Sequence, residues 1–249
     1  MQENKQLGNQ FEGKDAYVKD VFTEIAEYYD EMNDIMSMGM IQRWHRFMMK
    51  KLGDISGGKC LDAGAGTGEI SFHLAEKVGP EGSVTALDIT PAMLVLAEKK
   101  AAEKTLPIKI DFVTGDALNM EFEDETFDAV TSGYMLRNVT DIPKAVSEMY
   151  RVLKTGGVCA VAELAKPDNR LVRPFYNFYM NRIIPRHGRK YDKGQSIDGR
   201  EPAYDWLTAS IEGFPYGKAM AEIFRQAGFR EVEYYSKTFG AVNIYVAKK

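Results

Sequence analysis

The sequence predicts a single α/β domain on a doubly wound, seven-stranded, mostly parallel sheet that ends in an antiparallel hairpin. Three observations carry that prediction. Short apolar runs alternate with helix-period segments from Lys59 to Glu163, the βαβα order of a parallel sheet with helices on both faces. A glycine-rich turn, Gly64-Ala65-Gly66-Thr67-Gly68, falls between the first run and the first helical segment. Only the five residues Ser236 to Gly240 join the last two apolar runs, whereas a parallel crossover needs about a dozen.

Taken in order, Val18, Val21, Phe22, Ile25, Tyr28, Tyr29 and Met32 recur at steps of three and four and predict an amphipathic helix over about residues 16–32, behind a polar leader. The alternating section then reads as a strand over 59–63, a helix over 69–78, a strand over 83–88 and a helix over 91–103 that opens on a proline. Strands over 109–114 and 127–132, a helix over 142–153 and a strand over 158–163 follow. A helix over 217–227, closed by Gly228, precedes the hairpin strands over 229–235 and 241–247. One domain, 1–249, is thus divided into a flexible leader (1–15), an N-terminal helical cap (16–52), a core (53–165), an inserted helical lid (167–206) and a terminal helix with hairpin (207–249).

Composition narrows the function. The 249 residues are 45% hydrophobic and 27% charged, which excludes a disordered or all-membrane chain. Lys and Arg number 32 against 36 Asp and Glu, so the chain lacks a basic footprint and no nucleic-acid partner is expected. Cys60 and Cys159 lie in apolar runs and read as buried thiols, and His45, His73 and His187 have no metal-ligand spacing, so no metal is expected. The N-terminus lacks a signal-peptide pattern, and no stretch approaches the roughly 18 apolar residues of a spanning helix, which predicts a cytoplasmic protein.

Alternate glycines let the backbone turn tightly and bring free N–H groups at a helix start close to a ligand. A dinucleotide fingerprint would need glycine at position 69, which is Glu69, and that carboxylate suits a cationic amino acid group better than a pyrophosphate. Asp88 ends the second strand, where a carboxylate can accept hydrogen bonds from both hydroxyls of a ribose. Asp116 follows the third strand, where it can accept from an adenine amine. With Thr67 in the first loop, these residues outline an adenosine site at the switch point of the sheet.

At this point the chain resembles the class I S-adenosylmethionine methyltransferases, with their Rossmann-like fold, over residues 59–163, and more narrowly the ubiquinone/menaquinone biosynthesis C-methyltransferases over nearly all of 16–240. The narrower resemblance is carried by Tyr29-Asp30-Glu31-Met32-Asn33-Asp34-Ile35-Met36-Ser37 followed by Trp44, and by Leu136-Arg137-Asn138-Val139-Thr140-Asp141. Arg151-Val152-Leu153-Lys154-Thr155-Gly156-Gly157 with Glu163, Tyr204-Asp205-Trp206-Leu207, Ser210-Ile211, Phe214-Pro215 and Ala227-Gly228-Phe229 extend it. Ile41 stands where that family usually has His, Thr155 where it has Pro and Ala165 where it has Ser, and Ile244-Tyr245-Val246 lacks its usual histidine.

The resemblance implies S-adenosyl-L-methionine held by Gly64, Gly66, Thr67, Gly68, Glu69, Asp88, Ile89, Asp116, Ala117 and Gly133. It implies C-methylation of a prenylated quinol ring, foremost demethylmenaquinol to menaquinol. The alternative is a diverged methyltransferase acting on another small phenolic or lipid substrate. Arg137 is expected to hold a phenolate, Asn138 to hydrogen-bond the ring oxygen and Tyr29 to close the pocket, against a structural alternative in which Arg137 pairs with Asp141 at the surface.

From Arg170 to Lys190 the chain carries Arg170, Arg173, Arg182, Arg186, Arg189 and Lys190 with no acidic residue, interleaved with Leu171, Phe175, Phe178, Tyr179, Ile183 and Ile184. Such a lid is expected to face an isoprenoid tail and, transiently, the anionic inner face of a membrane, making the protein peripheral there. A homo-oligomer stays open.

Overall fold

A computed structural model describes residues 13–249 apart from Asp198 and Glu201. Seven strands form one sheet in the order β3-β2-β1-β4-β5-β7-β6, where β1 is Lys59–Ala63, β2 Ser83–Asp88, β3 Asp111–Thr114, β4 Phe127–Gly133, β5 Leu153–Leu164, β6 Arg230–Lys237 and β7 Val242–Lys248. The first five are parallel to one another, and β7 lies antiparallel between β5 and β6. The carboxyl ends of the parallel strands therefore share one edge, and the direction of strand addition reverses there between β1 and β4.

The helices of the alternating section start where the sequence carries local stop and start signals. Helix α4 (Glu69–Val78) opens on Gly68 at φ 86, and α5 (Pro91–Glu103) on a proline whose missing N–H costs nothing in the first turn. Helix α6 (Ile142–Val152) is capped by Asp141, whose Oδ1 accepts from the Lys144 N–H at 2.9 Å. Asp141 is thus committed to a helix cap, which removes the surface pairing with Arg137 considered above.

The N-terminal region differs from the single helix predicted over 16–32. Helix α1 (Lys14–Ile25) ends in a 3-10 turn at Ala26–Tyr28, and α2 (Tyr29–Ser37) follows as a separate helix. The break lies where Ile25 and Tyr28 take ψ near zero (−1° and 1°), which tightens the backbone and interrupts the helical period. Residues 1–12 of the expected leader lie outside the described residues, whereas Lys14 and Asp15 belong to α1, with Lys14 only 2% exposed. Helix α3 (Ile41–Lys51) completes the cap and buries Trp44, His45, Met48 and Met49.

Three apolar cores result. One face of the sheet packs Leu61, Val130 and Val161 against Met149 of α6 and Met220 and Phe224 of α10 (Lys218–Gln226). The other face packs Cys60, Ala86 and Ala160 against Leu74 of α4 and Met48 of α3. The third core lies off the sheet, where Tyr17, Val21 and Met32 of the cap meet Met180, Ile184, Tyr204 and Trp206 of the lid. The lid comprises α7 (Arg173–Phe178), a π turn at Tyr179–Ile183, α8 (Ile184–Asp192) and α9 (Ala203–Ala209). Its foundation is the N-terminal cap, with the Tyr17 and Trp206 rings edge to face at 5.3 Å. Among the described residues no helix is long and apolar enough to cross a membrane.

Candidate active site

The loop after β1 is pinned to β2 by its own backbone. The N–H groups of Gly64 and Ala65 both donate to the Leu87 carbonyl, at 2.8 and 2.9 Å, and Gly64, at φ 73, occupies the left-handed region that glycine favours. The Gly66 N–H donates to Asp88 Oδ2 and the Thr90 N–H to Asp88 Oδ1, both at 2.8 Å. Burial pushes the Asp88 carboxyl above its ordinary range while these N–H groups pull it back. The exposed Asp116 accepts the Leu118 N–H at 2.8 Å in a turn of its own making.

Gly64, Gly66, Asp88, Ile89, Asp116, Ala117, Gly133, Asn138 and Tyr29 line one cavity at the carboxyl edge of the sheet. Gly133 shapes its wall, since a Cβ there would lie 2.3 Å from Ile70 Cδ1. Thr67 and Glu69 line an adjoining cavity, which shares Tyr29, Gly64, Gly66, Gly133 and Tyr134 with the first. Gly68 lines neither; it supplies the left-handed turn into α4 where a Cβ would press on Phe72 at 2.9 Å.

The Glu69 carboxylate already has a cation. Lys100 Nζ lies 2.6 Å from it and 2.8 Å from Asp30, whose other oxygen accepts the Thr67 hydroxyl at 2.6 Å. Sequence reasoning missed Lys100 because the two helices that bring it to Glu69 are separated by a strand, and nothing local marks one lysine among several on α5.

Arg137 is 4% exposed, and its guanidinium meets buried Glu163 at 3.2 Å and the Tyr134 carbonyl. Asn138 donates to the same carbonyl at 3.1 Å, and its Oδ1 accepts the Trp206 Nε1–H at 3.2 Å. Both side chains therefore hold the turn at Tyr134, a buried aromatic in the left-handed region at φ 60. Asn138 reaches the first cavity, whereas Arg137 lines a smaller one beside Tyr134, Trp44 and Leu164. Burial pushes the Tyr29, Tyr134 and Tyr176 hydroxyls above their ordinary pKa, and the Arg137 charge opposes that push. From α1, Lys14 Nζ donates to the Val139 carbonyl at 2.9 Å and to that of Arg137 at 3.3 Å. That contact spans 123 residues and left no signal in the sequence.

With this geometry in view, the ubiE/COQ5 methyltransferase family matches residues 10–249. The chain belongs to that family. It is 36% identical to a demethylmenaquinone methyltransferase of Symbiobacterium thermophilum, over 96% of this chain and 94% of the relative. It is 39% identical to the ubiquinone/menaquinone biosynthesis C-methyltransferase UbiE of Desulfotalea psychrophila, over 92% and 88%. A solved structure of a putative S-adenosyl-L-methionine-dependent methyltransferase from Methanococcus maripaludis shares the fold, with a TM-score of 0.62 at 23% identity, covering 91% of this chain and 93% of that one. The positions expected to depart from the family pattern fall in different places: Ile41 lines the second cavity, Ala165 is buried beyond β5, and Thr155 bonds Glu125. The Tyr245 hydroxyl accepts the Gly217 N–H at 2.8 Å, inside the core.

Proposed function

We propose that this methyltransferase transfers a methyl group from S-adenosyl-L-methionine to a ring carbon of a prenylated quinol, with demethylmenaquinol as the substrate. Family membership supports the reaction, and one observation carries the chemistry: a buried guanidinium, Arg137, stands behind the Tyr134 turn that walls both cavities, held there by Glu163 and the Tyr134 carbonyl. That guanidinium stabilises negative charge developing on a phenolic oxygen, and a phenolate shares its charge with the adjacent ring carbon that must attack.

The first cavity suits the donor. Asp88 offers two carboxylate oxygens, each with one backbone N–H and a further lone pair for a ribose hydroxyl, and Asp116 stands at the rim for an adenine amine. Gly64 and Gly66 bring backbone to the cavity surface, with Ile89, Ala117 and Gly133 as its apolar wall. Thr67 and Glu69 sit on the side of the donor's amino acid end, where Glu69 acts together with Lys100 and Asp30. The bound donor supplies an electrophilic methyl group on a sulfonium. Arg137 stabilises the oxyanion from behind the Tyr134 turn, Asn138 presents that turn to the cavity, and Tyr29 closes the wall between the two cavities.

The lid meets the substrate's environment. Leu171, Phe175 and Phe178 are 80%, 78% and 62% exposed, and Arg170, Arg173, Arg182, Arg186, Arg189 and Lys190 are exposed on the same segment. Exposed apolar side chains and cations on one segment fit an anionic lipid surface, from which a prenyl tail is drawn. Methyl transfer from labelled S-adenosyl-L-methionine to reduced demethylmenaquinol, to demethylated ubiquinol precursors and to simple phenols tests the reading. Labelled menaquinol with the methyl on carbon supports it, and preference for a simple phenol refutes it.

A further inference from the structure

The second cavity holds polar groups that the mechanism above leaves unused. His45 on α3 is 2% exposed, and neither Nδ1 nor Nε2 has a hydrogen-bond partner among the described residues. Tyr134 lines the same cavity with its ring centroid 6.1 Å from that of His45, and its buried hydroxyl is equally unpartnered there. Buried donors and acceptors are normally satisfied, so two such groups on one cavity wall point to a ligand that completes them.

The far side of the cavity is different. Thr67, Asp30, Lys100, Glu69 and Gln42 bond one another and leave the His45 side as the unsatisfied end. That end adjoins the donor cavity along Gly64, Gly133 and Tyr134, so a ring seated against His45 lies beside the point of methyl delivery. Ile41, one turn before His45 on α3, lines the same cavity.

We propose that His45 is the base for the ring hydroxyl: a ring nitrogen accepts the hydroxyl proton of the phenolic substrate during methyl transfer, while the Tyr134 hydroxyl holds the same oxygen. This rests on the quinol reading above. The substrate O–H bond breaks and an N–H bond forms on His45, as the new carbon–methyl bond forms and the sulfur–methyl bond breaks. The hydrogen on the methylated ring carbon then leaves to solvent as a proton, and His45 returns its own proton to the oxygen. One proton is released in all, the donor's positive charge is lost, and nothing is oxidised or reduced.

The groups facing His45 are His73 and Glu69 from α4, Tyr29, Asp30 and Asp34 from α2, and Tyr134 from the end of β4. Burial and the neighbouring His73 push the imidazole down to about 4, with Glu69 opposing them, so at pH 7 it is neutral and takes the proton only as the forming carbon–methyl bond makes the ring hydroxyl acidic.

The test compares wild type with His45→Phe and His45→Gln. Loss of a general base lowers the single-turnover rate at pH 7 by about 100- to 10,000-fold. The residual rate should climb about tenfold per pH unit, because the substrate's own ionisation, near the phenolic pKa of about 10, then supplies the phenolate. S-adenosylhomocysteine affinity, measured by calorimetry, should stay within about twofold, and the melting temperature of His45→Phe should be unchanged or higher, since two unsatisfied nitrogens are gone. Imidazole added to His45→Ala should restore part of the rate. Binding of 1-naphthol, followed by its own fluorescence, reads the site without turnover and should weaken at least about tenfold in His45→Phe. A rate within about threefold of wild type overturns the proposal, as does undiminished 1-naphthol binding. Loss of S-adenosylhomocysteine affinity large enough to explain the rate also overturns it and assigns His45 to the donor. Product analysis keeps the two readings apart: a methyl found on oxygen refutes C-methylation yet still tests His45, because the same proton leaves.

Discussion

Replacing Arg137 by alanine should destabilise the fold strongly, and by an amount that depends on pH. Its guanidinium meets Glu163 at 3.2 Å with the two side chains 3% and 1% exposed, so solvent screens the pair little. Removing one partner of such a buried pair costs about 3–5 kcal/mol. The Tyr134 carbonyl loses a charged donor as well, which adds about 1 kcal/mol. At about 2–4 °C per kcal/mol for a chain of this length, the melting temperature should fall by roughly 10–20 °C.

Burial raises the Glu163 carboxyl above its ordinary value and Arg137 pulls it back, so Arg137→Ala should raise it further. A carboxyl raised in the folded state gives stability that is fully present below its unfolded pKa and lost as pH rises through its folded pKa. The deficit of Arg137→Ala should therefore be largest near pH 8 and shrink toward pH 5, and Glu163→Gln added to Arg137→Ala should recover most of it. Urea denaturation at pH 5, 6.5 and 8, followed by circular dichroism, measures this. A deficit under about 1 kcal/mol at pH 8, or one that does not change with pH, would refute the buried-pair reasoning.

Asp88→Ala should weaken S-adenosylhomocysteine binding by about 1.5–3 kcal/mol, the range for hydrogen bonds to a charged group, and calorimetry showing unchanged affinity in a folded variant removes the ribose assignment. Because burial raises Asp88, donor affinity in the wild type should also begin to fall at a higher pH on acidification than an exposed aspartate would allow. Burial lowers Lys14 from 10.5 to about 8, so across that window the unfolded chain holds a proton that the folded one has shed. The stability of wild type relative to Lys14→Met should therefore rise from pH 8 to 10, and denaturation curves with a flat difference would count against it. Changing Arg173, Arg182 and Arg186 to Gln should reduce flotation with anionic vesicles about 100-fold, at about 1 kcal/mol per basic residue, with S-adenosylhomocysteine affinity unchanged. Equal flotation of wild type and triple variant, or none at low salt, would leave the lid a soluble cover.

The sequence by itself determined the elements whose signals are local. Helices α4 and α5 and strands β1 and β2 have the bounds read from it, because Gly68 before Glu69, Pro91 in a first turn and short, mainly apolar strand runs act over a few residues. The hairpin followed from chain length alone, since five residues cannot carry a parallel crossover. That Asp88, Asp116 and the glycine loop come together was legible because the topology puts the carboxyl ends of the parallel strands on one edge, whatever the side chains do.

Tertiary structure decided what those side chains touch. Lys100 neutralises Glu69, Glu163 claims Arg137, Trp206 of the lid fixes Asn138, and Lys14 reaches the backbone of the β4 loop from α1. It also decided which apolar lid residues are buried: Met180 and Ile184 join the cap core, while Leu171, Phe175 and Phe178 stay in solvent. A π turn inside the lid and a 3-10 turn between α1 and α2 shift the helical period just where a sequence reading assumes it constant. A buried charge or polar group takes its partner from whatever element folds over it, often more than 60 residues away, and no periodicity encodes that choice. Elements formed by local signals can be read in sequence order; a site assembled from a cap, a sheet edge and a lid exists only once the three have packed.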